Sequence, residues 1–293
     1  MDVNLSTHRA QAFNYLFDSV VVTDTTGIII DWNCGSQQLY GYSKEEILGQ
    51  SVSILHVPED SASITELVIS SVEQHGKWTG EIRFLHKDGT IGWVESMCVP
   101  LFDDEQQFIG ALGINRDITK RVEDAQRVLN LACYDQLTQI PNRYLLMDRV
   151  KQTIERCKRM NTKFSLFYMD LDDFKNINDT YGHCQGDSVL IEAVTRLHKV
   201  IRESDTLARI GGDEFVLLLE DITDNNDISR MADILISALD KPFTINAQPV
   251  LLNCSIGIAT FPDSGDDFDT LIKTADFAMY KSKRQGGATY RFG

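Results

Sequence analysis

Apolar positions follow three successive patterns along this 293-residue chain. In the first, up to about position 119, they form short runs broken by turn signals, which predicts strands. Val20-Val21-Val22-Thr23 and Ile28-Ile29-Ile30-Asp31-Trp32 flank Asp24-Thr25-Thr26-Gly27, a hairpin pattern. Ser43-Lys44-Glu45-Glu46 has the spacing of a capping box and opens a helix towards Gly49. Trp78 to Leu85, the turn His86-Lys87-Asp88-Gly89, Thr90 to Pro100 and Phe108 to Asn115 then follow, with connections short enough for an antiparallel meander.

The second pattern is helical. Ile118, Val122, Ala125, Leu129 and Ala132 recur at alternating spacings of four and three, an a/d seam with charged residues between. Two heptads read equally as a coiled coil or as an amphipathic linker helix. In the third pattern, residues 135–293, apolar strands alternate with amphipathic helices. Leu146, Val150, Ile154 and Cys157 mark one helix; Leu190, Val194, Leu197 and Ile201 mark another; Ile228 to Leu239 and Phe268 to Lys283 are two more. The strand candidates are Phe164 to Met169, Asp205 to Ile210, Phe215 to Leu219 and Val250 to Phe261. The division is 1–119, with an N-terminal helix, then a helical linker at 120–134, then 135–293.

Composition narrows the partners. The net charge is −15, with 17 acidic against 7 basic residues up to position 120 and 26 against 21 thereafter. That balance disfavours binding to a phosphate backbone, so nucleic acid is not an expected partner. The six cysteines form no C-x-x-C pair or zinc spacing, and reduced thiols are expected. No apolar run reaches the length of a membrane span, so a cytoplasmic chain is expected.

Two stretches carry chemistry. The apolar run Phe164-Ser165-Leu166-Phe167-Tyr168-Met169 leads straight into Asp170-Leu171-Asp172-Asp173. Acids at the end of a buried strand are costly unless solvated or bound to a cation. The second stretch, Arg209-Ile210-Gly211-Gly212-Asp213-Glu214-Phe215, separates two strand-like runs and reads as a hairpin with a bare tip and two acids at its exit. A tight turn needs one glycine, so a second leaves room for a group against the backbone, and a phosphate with its metal ion suits. If the sheet sets the two strands side by side, Asp170 meets Asp213 and Glu214 in an all-oxygen site fit for Mg²⁺. Singly, each acid reads as a solvated turn residue; the set argues for a site. Because side chains alternate along a regular strand, Asp213 ranks first as ligand and base, and Glu214 second.

These stretches recur with Asp135-Gln136-Leu137-Thr138, Pro141-Asn142-Arg143, Phe174-Lys175, Asn178-Asp179, Gly182-His183, Gly186-Asp187, Ala278-Met279-Tyr280 and Lys283. Together they resemble the GGDEF family of diguanylate cyclases over residues 135–293. The resemblance implies an α/β (α+β) domain whose nucleotidyl-cyclase-like central sheet is flanked by helices. It also implies two divalent ions, Mg²⁺ or Mn²⁺, held by Asp170, Asp213, Glu214 and the carbonyl of Leu171. Asn178 and Asp187 would read guanine. Phe174, Lys175, Gly211 and Gly212 would meet the phosphates through their backbone, with Lys283 adding charge. The implied reaction joins two GTP into cyclic di-GMP across a homodimer, with Asp213 and Glu214 catalytic. Arg202-Glu203-Ser204-Asp205 matches the family's RxxD product-inhibition site, with Arg209 assisting; the alternative is a helix-terminal Arg beside a strand-start Asp.

The chain departs from the family at Gly286-Gly287-Ala288, where Gly-Arg-Asn is usual, so position 287 lacks a phosphate-binding arginine; Gln139 replaces a frequent glycine. A receptor that binds GTP or cyclic di-GMP without turnover is the alternative reading. A mononucleotide cyclase is disfavoured by the glycine hairpin and the guanine pair.

The first part, through Trp32-Asn33, Gly41-Tyr42, Glu46, Gly49, Asp88-Gly89 and Asp117-Ile118-Thr119, resembles a PAS sensor domain. That implies a five-stranded antiparallel sheet cupping a pocket, and a dimer contact. The pocket's ligand stays open. A flavin is admissible, with Trp32 and Asn33 as candidate lining residues, although core packing suits Trp32 better. Haem is disfavoured, because neither His56 nor His75 stands where haem-binding relatives place a ligand.

Overall fold

In the computed structural model, which describes residues 5–222 and 224–293, the chain forms two compact units, Met1–Arg127 and Val128–Gly293. The first four positions of the N-terminal assignment lie outside the described residues.

In the first unit, helix α1 (Leu5–Tyr15) precedes β1 (Ser19–Thr23), β2 (Ile29–Trp32), α2 (Cys34–Tyr40), α3 (Lys44–Ile47), a short 3₁₀ turn (Val52–Leu55), α4 (Pro58–His75), β3 (Trp78–Leu85), β4 (Ile91–Phe102) and β5 (Phe108–Asp117). The five strands make one antiparallel sheet in the order β2-β1-β5-β4-β3. Ser43 and Glu46 form the reciprocal capping box that their spacing predicts. Val21, Ile29, Trp32, Tyr40, Ile47, Leu55, Phe84 and Val94 form the core between the sheet and the helices. The sheet also bounds an internal cavity of about 190 Å³. Trp32 and Asn33 do not line it: Trp32 is buried in the core with its Nε1 donating to the Tyr42 carbonyl, and Asn33 caps α2.

Helix α5 (Thr119–Cys133) follows and buries none of its residues. The second unit contains α6 (Arg143–Met160), β6 (Lys163–Leu171), α7 (Phe174–Tyr181), α8 (His183–His198), β7 (Thr206–Gly211), β8 (Glu214–Ile222), α9 (Asn225–Leu239), β9 (Phe243–Ile245), β10 (Gln248–Val250), β11 (Cys254–Phe261), α10 (Phe268–Arg284) and β12 (Tyr290–Phe292). Its main sheet runs β12-β11-β6-β8-β7, antiparallel except for β11 with β12. Strand alternation sorts the core onto two faces. Phe167, Met169, Leu171, Phe215 and Leu217 pack with α7, α8 and α9, while Phe164, Leu166, Tyr168, Val216 and Leu218 pack with α6 and α10.

The single strand expected from Val250 to Phe261 is two. Val250 ends β10, which pairs back on β9 through Asn246 and Ala247, both at positive φ, and the main-sheet strand begins at Cys254. That two-residue reversal lacks the glycine that usually announces it. Among the described residues no helix is long and apolar enough to cross a membrane.

Candidate active site

β6 lies between β11 and β8, and all its residues after Lys163 are buried. Its alternation assigns Asp170 to the face of Tyr168 and α10. There the ladder sets Asp170 opposite Glu214 of β8 and Ser255 of β11. Directly opposed side chains start about 4.5–5.5 Å apart at Cβ, so the two carboxylates confront each other. Burial pushes the Asp170 carboxyl above the usual range, and Asp213 and Asp172 push the same way against the opposing pull of Lys283. Glu214 is likewise pushed up by burial and by Asp170, Asp276 and Asp213, while a hydrogen bond with Tyr168 opposes the rise. Lys283 Nζ reaches Asp170 Oδ1 at 2.5 Å. Burial alone would lower the proton affinity of Lys283, but the acids around it raise it.

The glycine hairpin closes over the end of β6. The register shifts between Arg209 and Gly211, Gly211 pairs with Glu214, and Gly212 adopts φ +49. A Cβ at Gly211 or Gly212 would meet nothing within 4 Å, so the tip is open to a group approaching the backbone. Leu171 N–H donates to the Asp213 carbonyl at 3.3 Å, which ties the tip to the acid-bearing strand end. Asp213 therefore sits in the turn, and Glu214 is the acid that the ladder brings opposite Asp170.

Arg209 is committed to this hairpin rather than gathered with Arg202. Its Nε and Nη2 donate to the Gly212 carbonyl at 2.9 and 2.7 Å, and its Nη1 donates to Asp135 Oδ1 at 2.9 Å. Asp135 also accepts from Thr138 N–H and Oγ1. Burial works against the Asp135 charge, but these bonds outweigh it and lower the carboxyl. The segment 135–138 is thus strapped to the hairpin tip.

Asn178 stands against Gly186, the residue before Asp187, across the α7–α8 turn. Gly186 allows this: a Cβ there would stand 1.9 Å from Asn178 Oδ1. Asp173, at φ +58, turns the chain from β6 into α7 and makes no side-chain cap, so Phe174 and Lys175 stand in an uncapped first turn. In the RxxD stretch, the Asp205 carboxylate accepts from Arg202 N–H at 2.9 Å and Glu220 N–H at 3.4 Å, and burial pushes it up. It closes the turn into β7, while Arg202 is exposed.

Three contributors were not foreseen. Asp172 accepts from Ser255 Oγ at 2.8 Å and from Ala288 N–H at 2.9 Å, fastening the 286–288 loop. In that loop position 287 has φ +71, and a Cβ there would lie 2.7 Å from Asp172 Oδ2, so a side chain at this position would be strained and would have to shift the Asp172 carboxylate. Tyr168 and Asp276 both bear on Glu214. Tyr168 was legible as two residues before Asp170 in a period-two strand, and Asp276 as two helical turns before Lys283.

Among the described residues no three of His, Cys, Asp or Glu already stand as a closed metal-binding cluster. The donor set nonetheless suits a hard divalent cation: it offers oxygen only, two of its carboxyls are pushed up by burial and like charge, and the Lys283 ammonium now meets part of that negative charge.

The diguanylate cyclase GGDEF domain model matches residues 132–289, and a PAS domain model matches residues 18–120. The chain is 42% identical over 167 residues to the bifunctional diguanylate cyclase/cyclic di-GMP phosphodiesterase MucR of Pseudomonas aeruginosa, covering 57% of this chain and 24% of that protein. The solved GGDEF domain of TpbB (YfiN) from the same species is 36% identical with a TM-score of 0.53, covering 54% of this chain and 93% of that one. A solved PAS domain from Colwellia psychrerythraea is 64% identical, covering 40% of this chain and all of that one, with a TM-score of 0.39. The chain spans between 21% and 42% of the length of the first curated relatives it matches.

Proposed function

The chain belongs to the GGDEF family of diguanylate cyclase domains, and from that premise we propose that it joins two GTP into cyclic di-GMP, releasing two pyrophosphates, as a homodimer regulated by its PAS domain. The observation that carries this reading is the register that sets Asp170 opposite Glu214 beside an open Gly211-Gly212 tip. The similar proteins MucR and TpbB, both diguanylate cyclases by name, support it.

Asn178 and Asp187 bind guanine, the carboxylate accepting from the ring N–H and the exocyclic amine. The bare glycine tip lets the triphosphate lie along the backbone, and the first-turn N–H groups of Phe174 and Lys175 donate to it. Asp170, Asp213, Glu214 and the Leu171 carbonyl would hold two divalent ions, Mg²⁺ or Mn²⁺, which when bound offset phosphate charge and lower the pKa of the attacking 3′-hydroxyl. Asp213 or Glu214 accepts the proton of that hydroxyl, which attacks the α-phosphorus of the nucleotide on the facing copy. Lys283 exchanges its contact with Asp170 for the phosphates. Since each copy holds one GTP, the two must face each other for a bond to form.

One observation favours the alternative, a receptor that binds GTP or cyclic di-GMP without turnover: glycine occupies position 287, which removes a phosphate-binding cation. Incubating the purified chain with GTP and Mg²⁺ and identifying the nucleotides by mass spectrometry separates the two. Cyclic di-GMP is expected, with turnover in Asp170→Ala lowered by at least about 10²-fold. GTP bound but unchanged at every protein concentration would establish the receptor.

A further inference from the structure

The cavity of the first unit is a site whose chemistry the nucleotide reading does not touch. It spans about 190 Å³, partly open to solvent, between the inner face of the sheet, the segment Ser51–His56 and α4. Pockets for drug-sized ligands run to about 300–1,000 Å³, whereas an apolar cavity of about 150 Å³ takes up benzene. A flavin nucleotide or a haem is therefore too large for it, while one or two fused rings fit. The walls are apolar and rich in rings, among them Val21, Leu55, Val94, Trp78, Phe84 and Phe108. Aromatic walls suit an aromatic guest, since offset and edge-to-face contacts add to plain burial.

The lining also excludes charge. No lysine or arginine lines the cavity among the described residues. Its single acid among the described residues, Asp24, is half-buried and already accepts from Thr26 N–H, Thr26 Oγ1 and Ile28 N–H. Burial pushes the Tyr40 phenol and the Cys98 thiol up, which keeps both protonated, and it lowers the proton affinity of His56 against the opposing pull of Asp60. An ionic guest would enter with no counter-charge, at a large desolvation cost.

Two polar side chains in the lining lack partners. Neither the His56 ring nor the Asn115 amide hydrogen-bonds a described residue, and His56 Nδ1 is sealed from solvent as well. Polar groups inside a protein are almost always paired, so the Asn115 amide on β5 and the His56 ring after the Val52–Leu55 turn, which line the cavity from different elements without a described partner, call for one from outside the chain; the sealed Nδ1 of His56 is not the atom that meets it. We propose that this cavity binds an uncharged aromatic molecule of one or two rings bearing one hydrogen-bonding group, which Asn115 and His56 recognise.

The test uses the full chain without nucleotide, so its result is independent of the cyclase reading. Indole serves as the uncharged probe, benzoate as the charged one and flavin mononucleotide as the large one, each titrated by calorimetry. Indole should bind once per chain, raise the melting temperature and shift the His56 ring resonances of the wild-type protein. Benzoate should bind at least tenfold more weakly, and the flavin not at all. Filling the cavity with Val72→Phe should abolish indole binding, and Asn115→Leu should weaken it at least tenfold. The proposal falls if indole does not saturate and leaves the His56 resonances in place, if benzoate or the flavin binds as tightly as indole, or if both folded variants bind indole as the wild type does. Should either variant fail to fold, the wild-type resonances and the probe ranking decide alone.

Discussion

Asp170 and Glu214 illustrate what one ladder position can impose: a buried and a half-buried acid become neighbours whose carboxyls are both pushed up. A carboxyl raised on folding releases its proton first in the unfolded chain. Stability therefore falls as pH climbs from the ordinary carboxylate value, about 4.3 for Glu, through the raised folded value, and it stays lower above that. Glu214→Gln should accordingly melt higher than wild type at pH 7 without metal, with the gap closing near pH 4. Mg²⁺ should raise the wild-type melting temperature more than the variant's, because binding to the folded state stabilises it by mass action. Calorimetric melts at both pH values, with and without Mg²⁺, check this; a variant that melts lower at both would make Glu214 a structural residue. The importance of Asp170 was legible in the sequence because an acid interrupts an apolar strand. The choice between Asp213 and Glu214 was not, since it depends on which residue leaves the turn, and the bulge between Arg209 and Gly211 sets that. Arg209 was equally opaque: its partner Asp135 is 74 positions away.

Helix α5 buries none of its residues. Val128, Leu129 and Leu131 are 65%, 56% and 53% exposed, on a helix whose residues alternate at the spacing of a two-heptad seam. A cluster of exposed apolar residues on a helix favours burial against a like surface, and a second copy supplies it in the proposed dimer. Leu129→Glu should weaken self-association at least tenfold and lower turnover in parallel, with GTP binding by each chain unchanged; analytical ultracentrifugation and equilibrium binding measure both. Helices and long strands were readable here because their apolar period persists over several turns. β9 and β10 were not, since three-residue strands carry too little pattern, and β12 is placed by pairing with β11 alone.

At the scale of the whole molecule, the proposed activity needs two copies and a means of restraint. We propose that the RxxD stretch supplies that restraint through Arg202, which is exposed, whereas Asp205 is engaged in closing the turn into β7. Arg202→Ala should raise the final yield of cyclic di-GMP by relieving product inhibition, without changing the initial rate; full progress curves test it, and an inhibition curve identical to wild type would remove Arg202 from product binding. Sequence by itself determined the two fold types, their order, the linker helix and the strand-end acids and hairpin glycines, because each rests on local periodicity or on motif residues close together in the chain. Tertiary structure alone decided that Glu214 faces Asp170, that Arg209 straps the hairpin to Asp135, that Asp172 crowds position 287, and that the N-terminal cavity is small, free of lysine and arginine among the described residues, and lined by His56 and Asn115. Those outcomes depend on strand register and on enclosed volume, which arise only when segments far apart in sequence are packed together.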